Sequence, residues 1–330
     1  MGARTTPEVG VGLVRVLDAV SSGIASQVFS TAIAIDLFGT VADAPVSASD
    51  VEARLGLHPR AVPDFLDALT AMGLLLRSHD GDYVATPATA RHLACGSPDF
   101  IGPFVAADPS EELVHLLRTG SAPEPPGAGD PYADPAVAGA FIAFMDAMNA
   151  MISHELVESI DWTAYGSFLD VDGASGGLAR ALVAAHPHLT GTVVDRPEVE
   201  GAFRAAQDAE PATAGRVGFV ATGEGPLPRA DVVLVGGVLH DKSPAERKDL
   251  LGRVRDAVEP EGLALVYDIM IDDGRSALAP LLGSIQMMLT VPDGGKYTES
   301  ECRSWVEGAG LGVIAVQPMG VDTLIVSGPR

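Results

Sequence analysis

The 330-residue chain carries 21 Lys and Arg against 44 Asp and Glu, a formal net charge of -23 and an isoelectric point of about 4.5. That balance argues against a general nucleic-acid binder, whose phosphate contacts need a basic footprint, and against docking on anionic membranes. Hydrophobic residues make up 47% and mean hydropathy is +0.24, so the acidity is not that of a disordered chain, and the length implies two domains.

The N-terminus, Met1 to Val14, has neither the basic start nor the apolar run of a signal peptide. The apolar run Val232 to Leu239 is strand-sized, and no stretch approaches the ~18 apolar residues of a membrane span. A soluble, cytoplasmic protein is expected. Cys95 and Cys302 lie far apart and lack CxxC spacing, which supports neither a disulfide framework nor a zinc site.

Residues 10–118 read as mostly helical. Val11 to Val20 and Ile24 to Phe38 carry apolar residues at helical spacing. Ser47, with Asp50 three residues on, is a helix cap. After a turn at His58-Pro59, a second helix runs from Ala61 to Met72 and ends at Gly73. Two short strands then flank the turn signal Asp80-Gly81. Helix, turn, helix and hairpin in that order predict a winged helix. Residues 1–100 hold six arginines, no lysine and eleven acids, and the second helix offers Arg60 against Asp64 and Asp67. DNA phosphates repel such a surface, so a packing and dimerisation module is expected rather than a DNA reader.

Thr119 to Pro135 contains five prolines and reads as a linker. Beyond it, short apolar runs alternate with helical stretches. Strands are expected at Ser167–Asp172, Thr190–Asp195, Val217–Ala221, Asp231–Val235, Leu263–Asp268, Gly312–Pro318 and Thr323–Val326. This is the pattern of an α/β, Rossmann-like, doubly wound and mainly parallel sheet, in which ligands sit beyond the carboxyl ends of the strands.

The first of those strands runs into a loop with Gly173, Gly176 and Gly177, and Asp195 ends the second strand 19 residues after Gly176. A glycine loop at a helix N-terminus, followed by an acid that can accept both hydroxyls of a ribose, points to a nucleoside-containing cofactor. The loop is not G-x-G-x-x-G, which favours S-adenosylmethionine over NAD. Asp170 and Asp172 do not make an EF-hand, because Ala174, Ser175 and Ala181 stand where that loop needs an oxygen ligand, a glycine and a glutamate. No metal site is expected.

The stretches LDVDGASGGLARALVAAHPHLTGTVVDRPEV, LPRADVVLVGGVLHDKSPAERKDLLGRVRDAVEPEGLALVYD and GGKYTESECRSWVEGAGL resemble the small-molecule O-methyltransferases of bacterial natural-product and plant phenolic pathways. The resemblance runs from about residue 10 to the end. It implies a class I S-adenosylmethionine domain behind a winged-helix dimerisation domain, hence a homodimer. The corresponding division is 1–118 for the dimerisation domain, 119–150 for a linker and substrate-pocket helix, and 151–330 for the catalytic domain. It further implies that Asp170, Gly173 and Gly176 face the cofactor, that Asp195 holds its ribose and that Glu224 lies by its adenine. His240 matches the family's general base, and Asp268 the carboxylate that orients it. Phe141, Met145, Met148 and Met288 fall in regions that face the substrate, as do Phe144, Met151 and Met287. The implied acceptor is a flat, largely apolar aromatic or polyketide intermediate of secondary metabolism, such as antibiotic biosynthesis.

Four positions depart from the family pattern. Asp172 and Ala174 replace the first two glycines of Asp-x-Gly-x-Gly-x-Gly, Lys242 replaces the Trp after His-Asp, and Gly-Gly-Lys-Tyr-Thr is shorter by one residue and lacks the second acid beside the base. Lys296 or Tyr297 takes that neighbourhood. Asp172 would repel the cofactor's own carboxylate unless it is neutral, turned away or paired. The departures leave open a non-methylating relative on the same fold (a cyclase, pericyclase, isomerase or hydroxylase) with a degenerate cofactor site.

Overall fold

The computed structural model describes residues 6–123, 132, 134–223 and 225–330. Much of the linker and Glu224 lie outside these. The chain divides into two compact units, residues 1–127 with 271–298, and residues 128–270 with 299–330.

In the first unit, helix α1 (Thr6–Ala34) is continuous where two helices were expected. The chain turns at Asp36, which adopts a left-handed φ of 53°, into the short α2 (Leu37–Thr40). Helix α3 (Ala48–Leu55) starts as the sequence implied: Ser47 Oγ accepts the Asp50 N–H at 3.1 Å and donates to Asp50 Oδ2 at 2.9 Å. Helix α4 (Val62–Ala71) follows, with Pro63 in its tolerant first turn. Strands β1 (Leu75–Arg77) and β2 (Tyr83–Ala85) pair antiparallel and complete the winged-helix order. Three further helices complete this stretch: α5 (Pro87–Leu93), α6 (Gly102–Val105) and α7 (Glu111–Thr119). Seven of the ten residues of α4 are buried, Asp64 and Asp67 among them.

The unit's core joins Phe38, Phe65, Leu66, Leu69, Leu113 and Leu117 to Leu281 and Ile285, all fully buried. The last two lie far along the chain, in α12 (Leu278–Thr290). Residues 271–298 thus leave the continuous 151–330 domain read from the sequence and pack with the N-terminal core. Met288, expected to line a substrate pocket, is a core side chain here, 3% exposed. Lys296 and Tyr297 belong to the same segment.

The second unit holds a seven-stranded sheet in the order β5-β4-β3-β6-β7-β9-β8. Its strands are β3 (Ser167–Val171), β4 (Thr190–Asp195), β5 (Val217–Ala221), β6 (Ala230–Gly236), β7 (Val258–Asp268), β8 (Leu311–Met319) and β9 (Asp322–Pro329). The first five run parallel and the last two close the edge antiparallel. All seven expected strands are present. Val232 to Val235 of β6 are buried without interruption, as a strand covered on both faces requires. The covering helices are α8 (Pro135–Glu158), α9 (Gly177–Ala185), α10 (Glu200–Ala209), α11 (Pro244–Ala257) and α13 (Glu299–Gly308). Ser243 and Glu246 close a reciprocal capping box at the start of α11.

One expectation needs correction. The stretch Val137–Glu158 of α8 is 22 residues long with a hydropathy of 1.2, which by length and composition alone would suffice to cross a bilayer. It also carries Asp146, His154 and Glu155, and it buries Ile152 and Leu156 against Leu178 and Leu182 of α9.

The chain from β3 winds outward through β4 to β5, whereas the chain from β6 winds the other way to β7. Strands β3 and β6 are neighbours, so the direction reverses between them. A ligand crevice opens at such a switch point, beyond the carboxyl ends of the strands.

Candidate active site

The residues singled out in the second unit gather at that carboxyl edge. Asp170 stands at the end of β3, with Gly173 and Gly176 in the loop that follows; Asp195 ends β4, His240 follows β6, and Asp268 ends β7. Register brings Asp170 opposite Val193 of β4 and Leu234 of β6.

His240 sits in a single 3-10 turn, Leu239–Asp241. Arg247 of α11 pins the turn by donating from Nε to the Leu239 carbonyl at 2.7 Å. The His240 Nδ1 lies 2.7 Å from Asp268 Oδ2, while Asp268 Oδ1 accepts the Ile269 N–H at 2.8 Å. Asp268 is 3% exposed, so the pairing is made in a water-poor place. A carboxylate at Nδ1 fixes the proton there and leaves Nε2 of the neutral ring with its lone pair. Asp241 Oδ1 is 3.3 Å from Nε2. A ring that takes up a proton at Nε2 would therefore lie between two acids. The shortened Gly-Gly-Lys-Tyr-Thr had implied that the second acid was missing; the residue next to the histidine supplies one. Its signal in the sequence was the Leu-His-Asp triplet itself.

Three acids gather around the glycine loop: Asp170 of β3, Asp172 in the loop and Asp195 of β4. Asp170 is buried, and its Oδ2 has no hydrogen-bond partner among the described residues. Burial, then the charges of Asp195 and Asp172, push its carboxyl up to about 7. Asp195 is pushed up to about 6 by burial and by Asp172, against the downward pull of two backbone donors, Arg196 N–H at 2.6 Å and Ala174 N–H at 2.8 Å. A side chain cannot replace the hydrogen of Gly173, because a Cβ there would lie 2.5 Å from Asp170 Oδ2. Gly176 caps α9 with a φ of 81°.

Both replacements of glycine in the loop have local explanations. Asp172 and Ala174 adopt left-handed φ values of 55° and 53°, so the backbone keeps the shape that glycine would give it. The Ala174 methyl is 3% exposed and packs with Ile142 of α8 and Val199. Asp172 is paired: its Oδ2 lies 3.6 Å from Lys242 Nζ. Of the three ways in which Asp172 could coexist with a cofactor carboxylate, the structure adopts pairing.

These features fit a cofactor carrying a ribose and a cationic amino-acid end. Asp195 keeps lone pairs beyond its two backbone bonds, Asp170 has an unsatisfied buried oxygen, and the loop admits close backbone approach. Helix α8 contributes a residue that sequence reasoning passed over. Asp146 Oδ1 accepts the Ser175 N–H of the loop at 3.3 Å. Read as an apolar stripe, α8 gave no sign of it. On the same helix Phe141 meets Tyr132 edge to face at 5.6 Å, Met145 and Met148 are half-buried, and Phe144 is 49% exposed. Glu224, expected by the adenine, lies outside the described residues.

Residues 128–312 match the O-methyltransferase domain family, and residues 17–94 match the O-methyltransferase dimerisation domain. The chain belongs to the O-methyltransferase family. This is the class I, S-adenosylmethionine-dependent family with a dimerisation domain, and the protein is a methyltransferase. It is 40% identical over 316 residues to the tetracenomycin polyketide synthesis 8-O-methyl transferase TcmO of Streptomyces glaucescens, covering 92% of this chain and 91% of that protein. It is 33% identical to the N,N-dimethyltransferase OxyT of Streptomyces rimosus, over 94% of each. Among solved structures, an O-methyltransferase family 2 protein from Planctomyces limnophilus in complex with apigenin superposes with a TM-score of 0.83 at 22% identity. That match covers 100% of this chain and 97% of the other, and it shows the shared fold.

Proposed function

We propose that the protein transfers a methyl group from S-adenosylmethionine to a hydroxyl of an aromatic, polyketide-derived intermediate in natural-product biosynthesis. The observation that carries this reading is the His240–Asp268 pair, placed at the carboxyl edge of the sheet beside a loop that fits the cofactor. The relative named for 8-O-methylation in tetracenomycin polyketide synthesis supports the acceptor class.

In this reading Asp195 accepts the ribose hydroxyls, Asp170, Gly173 and Gly176 line the amino-acid end, and Glu224 lies by the adenine. Bound S-adenosylmethionine supplies the electrophilic methyl group on a sulfonium. The chain supplies the rest. A phenol has a pKa of about 10, so at neutral pH it needs a base to become a good nucleophile. His240 takes that proton at Nε2. Asp268 holds the ring in its productive tautomer, and Asp241 stabilises the imidazolium that forms, by the same electrostatic logic as the carboxylate of a hydrolase triad. Phe141, Met145 and Met148 give the acceptor an apolar, adaptable wall on α8. We further infer a cytoplasmic homodimer assembled through the first unit, which carries the match to the dimerisation domain.

The test is incubation of the purified protein with S-adenosylmethionine and hydroxylated aromatic polyketides, with product mass and NMR as readout. A methyl ether is expected. His240→Ala should lower kcat/KM by roughly 10²–10⁴, the usual contribution of a positioned base, and Asp268→Asn should act in the same direction. A protein that binds no S-adenosylhomocysteine at millimolar concentration and methylates no phenol sinks the proposal. The 33%-identical N,N-dimethyltransferase favours one alternative acceptor, an amine. A substrate bearing both groups separates the two outcomes by the site of the new methyl.

A further inference from the structure

Asp172 follows β3 directly, and Lys242 directly follows the turn that carries His240 after β6. Their ion pair, at 3.6 Å, therefore bridges the ends of the two strands between which the sheet reverses direction. Both side chains are about one-third exposed, 32% and 34%, so the pair contributes little to stability. Its place suits a different task. If Asp195 holds the nucleoside at β4, the glycine loop after β3 is the part of the site that would hold the amino-acid end of the cofactor. That end carries a carboxylate. It would arrive beside three acids, Asp172 in the loop, Asp170 of β3 and Asp195 of β4, with Asp170 buried and one of its oxygens without a partner among the described residues. Arg180 donates to the Ser175 carbonyl of the loop at 2.7 Å, whereas Lys242 sets its ammonium against an acid of the loop, 3.6 Å from Asp172 Oδ2, an ion pair longer than a hydrogen bond.

We propose that Lys242, through its ion pair with Asp172, is the residue that lets this glycine loop accept the carboxylate-bearing end of the cofactor. The two departures from the family pattern are then one device: the acid that replaces a glycine is neutralised by the lysine that replaces a tryptophan. The inference rests on the cofactor reading above, and the experiment keeps the two apart.

Calorimetric titration of wild type, Lys242→Met, Lys242→Arg, Asp172→Gly and the double variant Lys242→Met/Asp172→Gly would use two probes. S-adenosylhomocysteine has the carboxylate; 5'-methylthioadenosine lacks the amino-acid end. Lys242→Met should weaken S-adenosylhomocysteine about tenfold, the scale of one partly screened charge a few ångströms away. It should leave 5'-methylthioadenosine within about twofold. Lys242→Arg should bind nearly as wild type, and removing Asp172 from the Lys242→Met protein should restore most of the lost affinity. Asp172→Gly is compatible with the left-handed backbone, so folding is not at risk there. Equal weakening of both probes, unchanged binding by Lys242→Met, or no rescue in the double variant overturns the proposal. A wild-type protein that binds neither probe overturns the cofactor reading, and the pair's role with it.

Discussion

Asp64 and Asp67 in the first unit and Asp170 and Asp195 in the second are all buried carboxylates, yet their surroundings are opposite. Arg275 donates to both Asp64 and Asp67, Arg77 lies 3.2 Å from Asp67, and the Tyr83 hydroxyl donates to Asp67 at 2.7 Å. Burial and the Asp67 charge push the Tyr83 phenol well up, so it stays a donor. Asp170 and Asp195 face each other and Asp172, Lys242 pairs with Asp172, and Arg196 acts on Asp195 without offsetting its burial. Buried charge is costly unless partnered. The first cluster is complete in itself and serves the fold. The second lacks such partners, which is why we propose that it receives a ligand bringing positive charge and hydroxyl donors.

Stability measurements can break this contrast. Arg275→Met should cost about 3–5 kcal/mol in urea unfolding, because it takes the guanidinium from the buried Asp64 and leaves Asp67 with only Arg77 and Tyr83. A loss below about 1 kcal/mol would mean that the network is no more than a surface pair. Asp170→Asn should do the reverse. The Asp170 pKa is raised by folding, so its ionised form opposes folding, and the stability present at low pH is lost as the pH rises through about 7. At pH 8 the asparagine variant should therefore exceed wild type by on the order of 1 kcal/mol, the gain should shrink as the pH falls below about 7 and be gone near the ordinary carboxyl value of 3.8, and S-adenosylhomocysteine affinity should fall. A variant less stable than wild type at pH 8 would make Asp170 a structural residue. Ala174→Gly is the smallest change. Relief of a left-handed alanine and loss of a buried methyl act in opposite directions, so unfolding should shift by less than about 0.5 kcal/mol.

What could be read from the sequence follows the range of the interactions. The seven strands, the Ser47 cap and the winged-helix order depend on local periodicity and turn chemistry, and each was legible. The break expected within α1 at Ser21-Ser22-Gly23 is absent, because small polar residues lower helix propensity only slightly and packing of Ile24 and Val28 carries the helix through. The placement of α12 was not legible, since its apolar spacing is the same whichever core it joins. Asp170, Asp195, His240 and Asp268, which the structure gathers at the carboxyl edge of the sheet, could each be picked out from the sequence as candidates. The pairings of the site were less visible. Asp172 and Lys242 are 70 residues apart, and only the strand order brings them together. Asp146 was hidden among apolar neighbours on α8.

The interrupted first unit has a consequence for how the chain is made. Domains generally fold as units, the N-terminal one first during synthesis. Here the N-terminal core lacks Leu281, Ile285 and Arg275 until the ribosome has passed residue 298. The sheet's strands β3 to β7 emerge before that core can close. A gene cut at residue 127 encodes a fragment in which Asp64 and Asp67 have lost Arg275 and the core has lost Leu281 and Ile285.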